Sequence, residues 1–397
     1  MSAQKKILLL TTTTFAFYVV GEMIAPIIPL YALNVGATLV EVGLLLSVLS
    51  FVTMMVRIPF GSAGKSLGAE RVMLVSCALY MVSLILYYVA SSVWWILMAV
   101  VLNGLATGSF GPLAASTVLN LADPETRGSV SGKYYSSIGL AMFLGPLMTS
   151  VLIWFLDYRL FFLVILILPL SCILPIMKLK STHIIDGRAF SSVERGETGK
   201  NKTSSQIVTL LRQRVVLVLV VMTLLFFICD GWFRTLFPVY GKRELLFSAS
   251  AISVLFSVFG GVNALTRIPS GRLSDIIGRK KPLLLSMCMC VLAFTIFAHT
   301  GQFSLLAIGM VIYGAAWGLR VPPSSALLAD NVESRELPIA MAFLWMSSDL
   351  GFAVGAGMAG SLGSIMPFPI IIQSTVVVLL ACVVLVLAGF RVRHDRA

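Results

Sequence analysis

The sequence predicts an all-α polytopic membrane protein: twelve transmembrane helices in two six-helix bundles related by a parallel repeat. Three observations carry that reading. Of 397 residues, 58% are hydrophobic and only 12% charged, whereas a soluble domain carries about 25% charged residues. Apolar stretches of roughly 20 residues recur, the length at which a helix crosses the hydrocarbon core with its backbone satisfied, and the alternating short strands of a barrel are not seen. The segment Arg57-Ile58-Pro59-Phe60-Gly61, followed by Gly68, returns 210 positions later as Arg267-Ile268-Pro269-Ser270-Gly271, followed by Gly278.

Taken in order, Lys5-Lys6 lead into a first span over 7–31, too long for a signal peptide and without a small-residue cleavage site at Gly21-Glu22-Met23. The turn 34–38 precedes a second span at 40–60, and the basic turn 61–71 a third that closes near 90. The interfacial pair Trp94-Trp95 opens a fourth span ending near 121. The polar loop 123–133 precedes a fifth at 134–156, and Asp157-Tyr158-Arg159 turns the chain into a sixth ending near 177. Residues 178–214 hold eight Lys or Arg, three acids and several Ser, Thr and Gly, the composition of a mobile linker. Six further spans follow at 215–240, 248–268, 282–299, 304–329, 339–362 and 369–390. The expected organisation is an N-terminal half over 1–177, a linker over 178–214 and a C-terminal half over 215–397.

The formal net charge of +12 is loop charge and does not indicate a nucleic-acid partner. Arg159, Lys242 and Arg243 lie in turns on one side, Arg234 and Arg320 lie inside spans, and the other 24 of the 29 Lys and Arg lie at the termini, the linker and the loops opposite. The positive-inside rule then puts both termini and the linker in the cytoplasm of a cell membrane. All six cysteines fall inside apolar runs, where no disulfide is expected. His183, His299 and His394 are too scattered for a metal site. A phosphate-cradling Gly-rich loop is absent, so ATP is not the energy source; no cofactor is expected, and no nucleophile–base pair suggests an enzyme.

The repeat extends past the basic turn. At the same offset Gly104, Gly108 and Pro112 match Gly314, Gly318 and Pro322. Corresponding spans run in the same direction, which relates the halves by an axis along the membrane normal and places a binding site between them near the midplane. With these features the sequence resembles the major facilitator superfamily over essentially its whole length. That family's loop motif, roughly G-x-L-x-D-x-x-G-R-K/R, is matched by Gly271, Leu273, Asp275, Gly278, Arg279 and Lys280. The first-half copy keeps Gly61 and Gly68 but has Lys65 in place of the acid. Glycines permit the tight turn, and an acid held against a base or a helix N-terminus, then released, would latch a gate. The family's fifth-span pattern survives only as Gly145-Pro146, a candidate helix kink, and its fourth-span arginine is replaced by Val100.

Ionisable groups inside spans are costly and mark pathways. Here they are Glu22, Asp230, Arg234, Arg320 and Asp349. The resemblance implies that the first, fourth, seventh and tenth spans line the cavity, which would put Glu22, Asp230, Arg234 and Arg320 on its walls as substrate- or proton-binding groups. Trp232, Phe233, Trp317 and Trp345 are candidates for an apolar lining. The expected function is alternating-access secondary transport of a small organic molecule, proton-coupled and outward, by a monomer in the bilayer. The alternatives are uptake of an organic anion held by Arg234 and Arg320, and a non-transporting sensor or scaffold that keeps the fold.

Overall fold

The computed structural model describes residues 2–123, 127–180, 213–333 and 336–389, without the side chains at 58, 60–67, 127–129, 180 and 338. Twelve stretches are long and apolar enough to cross a membrane. The first half holds α1 (Ala3–Ile24), α2 (Ile28–Asn34), α3 (Leu39–Leu67), α4 (Ala69–Val89), α5 (Val93–Leu121), α6 (Arg127–Phe155), α7 (Tyr158–Ile165) and α8 (Ile167–Lys180). The second holds α9 (Arg214–Arg243), α10 (Ala249–Ile277), α11 (Lys280–His299), α12 (Phe303–Asn331), α13 (Leu337–Gly363) and α14 (Phe368–Gly389). The linker lies mostly outside the described residues.

Two spans are broken by proline. Pro26 and Pro29 lack the donors that would continue α1, and the chain restarts as α2; Pro169 has the same effect between α7 and α8. Local signals set several starts. Thr38 and Glu41 form a reciprocal capping box at α3, with Thr38 N donating to Glu41 Oε2 at 2.7 Å and Glu41 N to Thr38 Oγ1 at 3.2 Å. Asp157 caps α7 and Ser248 caps α10.

The basic segments are less turn-like than the sequence suggests. Helix α3 continues to Leu67 and α10 to Ile277, so most of each motif is helical and the reversal occurs only at Gly68 and Gly278. These glycines have φ of +87° and +86°, a region costly for any residue with a Cβ.

The internal repeat is also a repeat of packing. A Cβ on Gly104 would meet Leu49 O and Val52, and one on Gly314 would meet Phe259 O and Val262. Gly108 faces Thr53 O and Val56, and Gly318 faces Asn263 O and Thr266. Every pair is offset by 210, so the same small-residue approach fastens α5 to α3 and α12 to α10. Large apolar side chains point outward where lipid would lie, among them Trp94, Trp154 and Phe155, 72%, 73% and 78% exposed.

The halves meet along two seams, α3 with α13 and α6 with α10. Cross-half contacts start at the face remote from the termini, where Gly360 meets Leu39 O and Ser250 donates to Ser150 O at 2.7 Å. They run as far as Arg57 and Arg267. Beyond those arginines, toward the termini, no cross-half hydrogen bond occurs among the described residues, although all four helices continue. The conformation is closed at the far face.

Candidate functional site

Helix α9 carries Phe226, Asp230 and Arg234 at four-residue spacing, and α12 presents Tyr313 and Trp317 at the same spacing, so each set shares one helix face. Where these faces meet, Arg234 Nε donates to both Asp230 oxygens at 3.0 and 3.1 Å. Tyr313 donates its hydroxyl proton to Asp230 Oδ1 at 2.5 Å, and Trp317 Nε1 donates to Tyr313 Oη at 3.2 Å. Asp230 is 2% exposed, and its charge is matched by a guanidinium and a hydroxyl. Arg234 also lies 5.1 Å from the Phe259 ring and 5.8 Å from that of Trp317.

Glu22, on α1 of the other half, is half-buried and makes no hydrogen bond or ion pair among the described residues. The charges within Coulombic reach of it are Arg234, Arg267 and Asp230, all from the second half; Tyr18 and Tyr80 lie within the same reach in its own half. A Cβ on Gly145 would lie 2.6 Å from Glu22 Cβ, and Thr149 Oγ1 donates to Met23 O at 2.8 Å. Gly145 therefore lets α6 lie against α1 at the level of Glu22. Helix α6 runs through Pro146 without a break.

Arg320 is 4% exposed, and its guanidinium carbon sits 4.2, 5.1 and 5.2 Å from the Phe226, Phe227 and Trp317 rings. Its Nε has no acceptor. Asp349 stands apart from this group. It faces Arg57 across the α3–α13 seam, with Nη2 donating to Oδ1 at 3.1 Å and Nε 2.7 Å from Oδ2. The second approach is misaligned, leaving Nε and Oδ2 without a proper hydrogen bond, so that contact is a charge pairing.

Of the sequence candidates, Glu22, Asp230 and Arg234 thus converge, Arg320 adjoins them through Trp317, and Asp349 joins a seam. Trp345 is 40% exposed, and Phe233 is buried in an aromatic cluster with Phe237, Phe294 and Phe297. Arg57, Arg267, Tyr18 and Tyr313 were not singled out by sequence. The repeated Arg-Ile-Pro contained both arginines, but its reading as loop charge hid that the helices extend past them.

At the motif turn, Asp275 pairs with Arg279 one turn on, and Arg279 also reaches Asp330 at the end of α12, 3.1 Å away. These hydrogen bonds hold the Arg279 guanidinium charged above its ordinary range. All three residues belong to the second half, and Asp275 is 65% exposed. Gly271 has open space around it, and Lys280 Nζ donates to Leu387 O at 3.2 Å. Gly61 and Lys65 are helical in backbone, but their surroundings lie outside the described side chains. Among the described residues no cluster of metal-ligating side chains is found.

Two repeated helical bundles closing on a charge-bearing midplane define a membrane carrier of small molecules. The chain belongs to the Major Facilitator Superfamily, whose sequence profile matches residues 10–248 and 230–397. It is 25% identical over 371 residues to the multidrug resistance protein MdtG of Salmonella paratyphi A, covering 89% of each chain. It is 24% identical over 298 residues to the class G tetracycline resistance protein of Vibrio anguillarum, covering 74% of this chain and 73% of that one. Among solved structures it is similar to the nucleoside transporter NupG, with a TM-score of 0.76 at 13% identity over 98% of this chain and 100% of that one. The protein is a multi-pass membrane transporter and not an enzyme.

Proposed function

We propose that the chain is a proton-coupled secondary transporter that exports small organic molecules by alternating access, with Glu22 as the coupling carboxyl. The observation that carries this is the isolation of Glu22. A carboxyl with neither hydrogen bond nor ion pair changes protonation without breaking a contact, and the arginines within reach of Glu22 come from the opposite half. Loading or releasing a proton there changes the attraction between the halves, which is the differential that a two-state equilibrium requires. Asp230, matched by Arg234 and Tyr313, fits the role of orienting Arg234 better than that of a proton carrier.

The outward direction is supported by the two resistance proteins among the relatives. Termini and linker face the cytoplasm of the plasma membrane in this reading, the protein works as a monomer, and the far-face closure is a cytoplasm-facing state. Membrane potential contributes about 2.3 kcal/mol per charge per 100 mV, enough to drive uphill movement.

The test is flux in reconstituted vesicles under an imposed pH gradient, against a panel of drugs, sugars and organic acids. Glu22→Gln is expected to abolish gradient-driven flux while leaving downhill exchange and thermal stability intact. Gradient-driven flux that persists in Glu22→Gln would overturn the assignment.

A further inference from the structure

We infer that the aromatic cluster around Trp317, flanked by Arg234 and Arg320, binds organic anions that carry an aromatic body, with Arg320 supplying the uncompensated charge. The inference rests on the transporter reading above and names its cargo class; it does not depend on the direction of transport or on Glu22.

The first support is charge balance. Trp317 stands between two guanidinium groups, 5.8 Å from Arg234 and 5.2 Å from Arg320. Asp230 neutralises Arg234. Arg320 has no ion pair and no side-chain hydrogen bond among the described residues, although it is 96% buried on the 4% exposure it keeps. The groups within Coulombic reach of it are Cys290 on α11, Tyr313 on α12, Asp230 on α9, Arg267 on α10 and Cys382 on α14. The one acid among them is already matched. Arg234, Arg267 and Arg320 face Asp230 and, further off, Glu22, so at least one positive charge stays uncompensated and an anionic group would balance it.

The second support comes from the repeat. The position 210 residues before Arg320 is Phe110, which stacks on Phe17 with centroids 3.9 Å apart and planes 5° apart. In the second half the same layer holds a guanidinium on Phe226 at 4.2 Å. The fold therefore builds this layer from two aromatics where no charge is needed. Burying an unpaired cation carries a desolvation penalty, which a cation–π contact offsets only in part. The remaining cost is what an anionic ligand removes.

The third support is the lining. Trp317 is partly exposed beside the partly exposed Arg234, and Phe227 and Phe259 flank them. Flat π faces next to an uncompensated guanidinium suit an aromatic acid better than a sugar or a neutral nucleoside.

The experiment is thermal shift and calorimetry on the full-length protein in detergent, with no gradient, using matched pairs: benzoate against benzamide, and naphthalene-2-sulfonate against its sulfonamide. The acids are expected to bind and raise Tm where the neutral partners do not. Arg320→Gln is expected to weaken acid binding by about thirtyfold or more, and Arg320→Lys to retain part of it. If Arg320→Gln does not fold, Arg320→Lys and Trp317→Leu carry the test, each weakening the acids selectively. Equal binding of acid and amide, no binding of any acid, unchanged binding in the Arg320 variants, or a shift produced in full by chloride would each overturn the inference. Because no proton gradient is present, a failure here leaves the Glu22 assignment standing, and a failure of that assignment leaves this result readable.

Discussion

The two seams between the halves occupy equivalent places in the repeat and are fastened differently. In the α3–α13 seam, Ser50 donates to Asp349 O at 2.8 Å and Arg57 pairs with the Asp349 carboxylate. In the α6–α10 seam, Ser257 donates to Phe143 O at 3.0 Å, and Gly260 lies against the Met142 carbonyl. Among the described residues, Arg267, the repeat counterpart of Arg57, finds only Asn263 Oδ1 at 3.0 Å and the Met142 thioether at 3.7 Å. The difference traces to the residue each arginine meets across its seam: Arg57 faces the Asp349 carboxylate, whereas Arg267 faces the Met142 thioether. One seam holds a closed charge pair. The other leaves its arginine free to act on Glu22, within Coulombic reach across the midplane. Duplication supplied two arginines, and the loss or gain of a single carboxylate gave one a structural task and the other an electrostatic one.

The sharpest way to break this comparison is to give the second seam its missing acid. Met142→Asp places a carboxylate where Arg267 Nη2 now meets the Met142 thioether at 3.7 Å. A partly buried pair worth about 1.5 kcal/mol would shift the balance between states roughly tenfold. Transport is expected to fall by about that factor and Tm to rise, with both effects reversed by adding Arg267→Gln. Unchanged flux in Met142→Asp would show that Arg267 does not act on Glu22.

The next effect is on stability. Asp349→Asn leaves Arg57 facing a neutral amide. Breaking a fully buried pair costs about 3–5 kcal/mol, but the side chains here are 30% and 14% exposed, so about 1–2 kcal/mol is expected after screening. A thermal unfolding series should show the drop in Asp349→Asn and its recovery in the double variant with Arg57→Gln. The matched change at the other seam, Arg267→Gln, is expected to leave Tm within error and to alter the pH profile of transport instead. If both arginine variants lose stability alike, the seams are equivalent and the contrast fails.

Much of this architecture was legible in the sequence. Span number and the parallel repeat follow from hydropathy and from residue spacing, whereas the placing of Glu22, Asp230 and Arg234 around one cavity came only with the family resemblance. The seam arginines were not legible, because a positive charge near a basic turn reads as loop charge until the helix is seen to run on to Leu67 or Ile277. The state of Arg320 was equally hidden. Sequence marks a buried cation but not whether an acid lies opposite, and here aromatic rings fill that place. Gly145 shows the reverse case: a residue suggestive of a kink turns out to govern the approach of α6 to Glu22.

The smallest expected effect concerns the motif turns. Asp275, Arg279 and Asp330 form a contact within the second half in this state, on the side of the termini. Arg279 is held charged above its ordinary range. A base with a raised folded value contributes stability that is present below its unfolded value and lost only as pH rises through the folded one. Across pH 5–9 the arginine's contribution is therefore constant, and the contact responds to salt rather than to pH. Asp275→Asn is expected to slow cycling two- to threefold at low ionic strength, about 0.5 kcal/mol for an exposed pair, with the gap closing as salt is added. Lys65→Asn, at the first-half position that lacks the acid, is expected to slow it less. Equal rates for the two variants at low salt would mean that both basic segments serve only as positive charge at the membrane surface, and that the acid of the second-half motif contributes nothing to the gate.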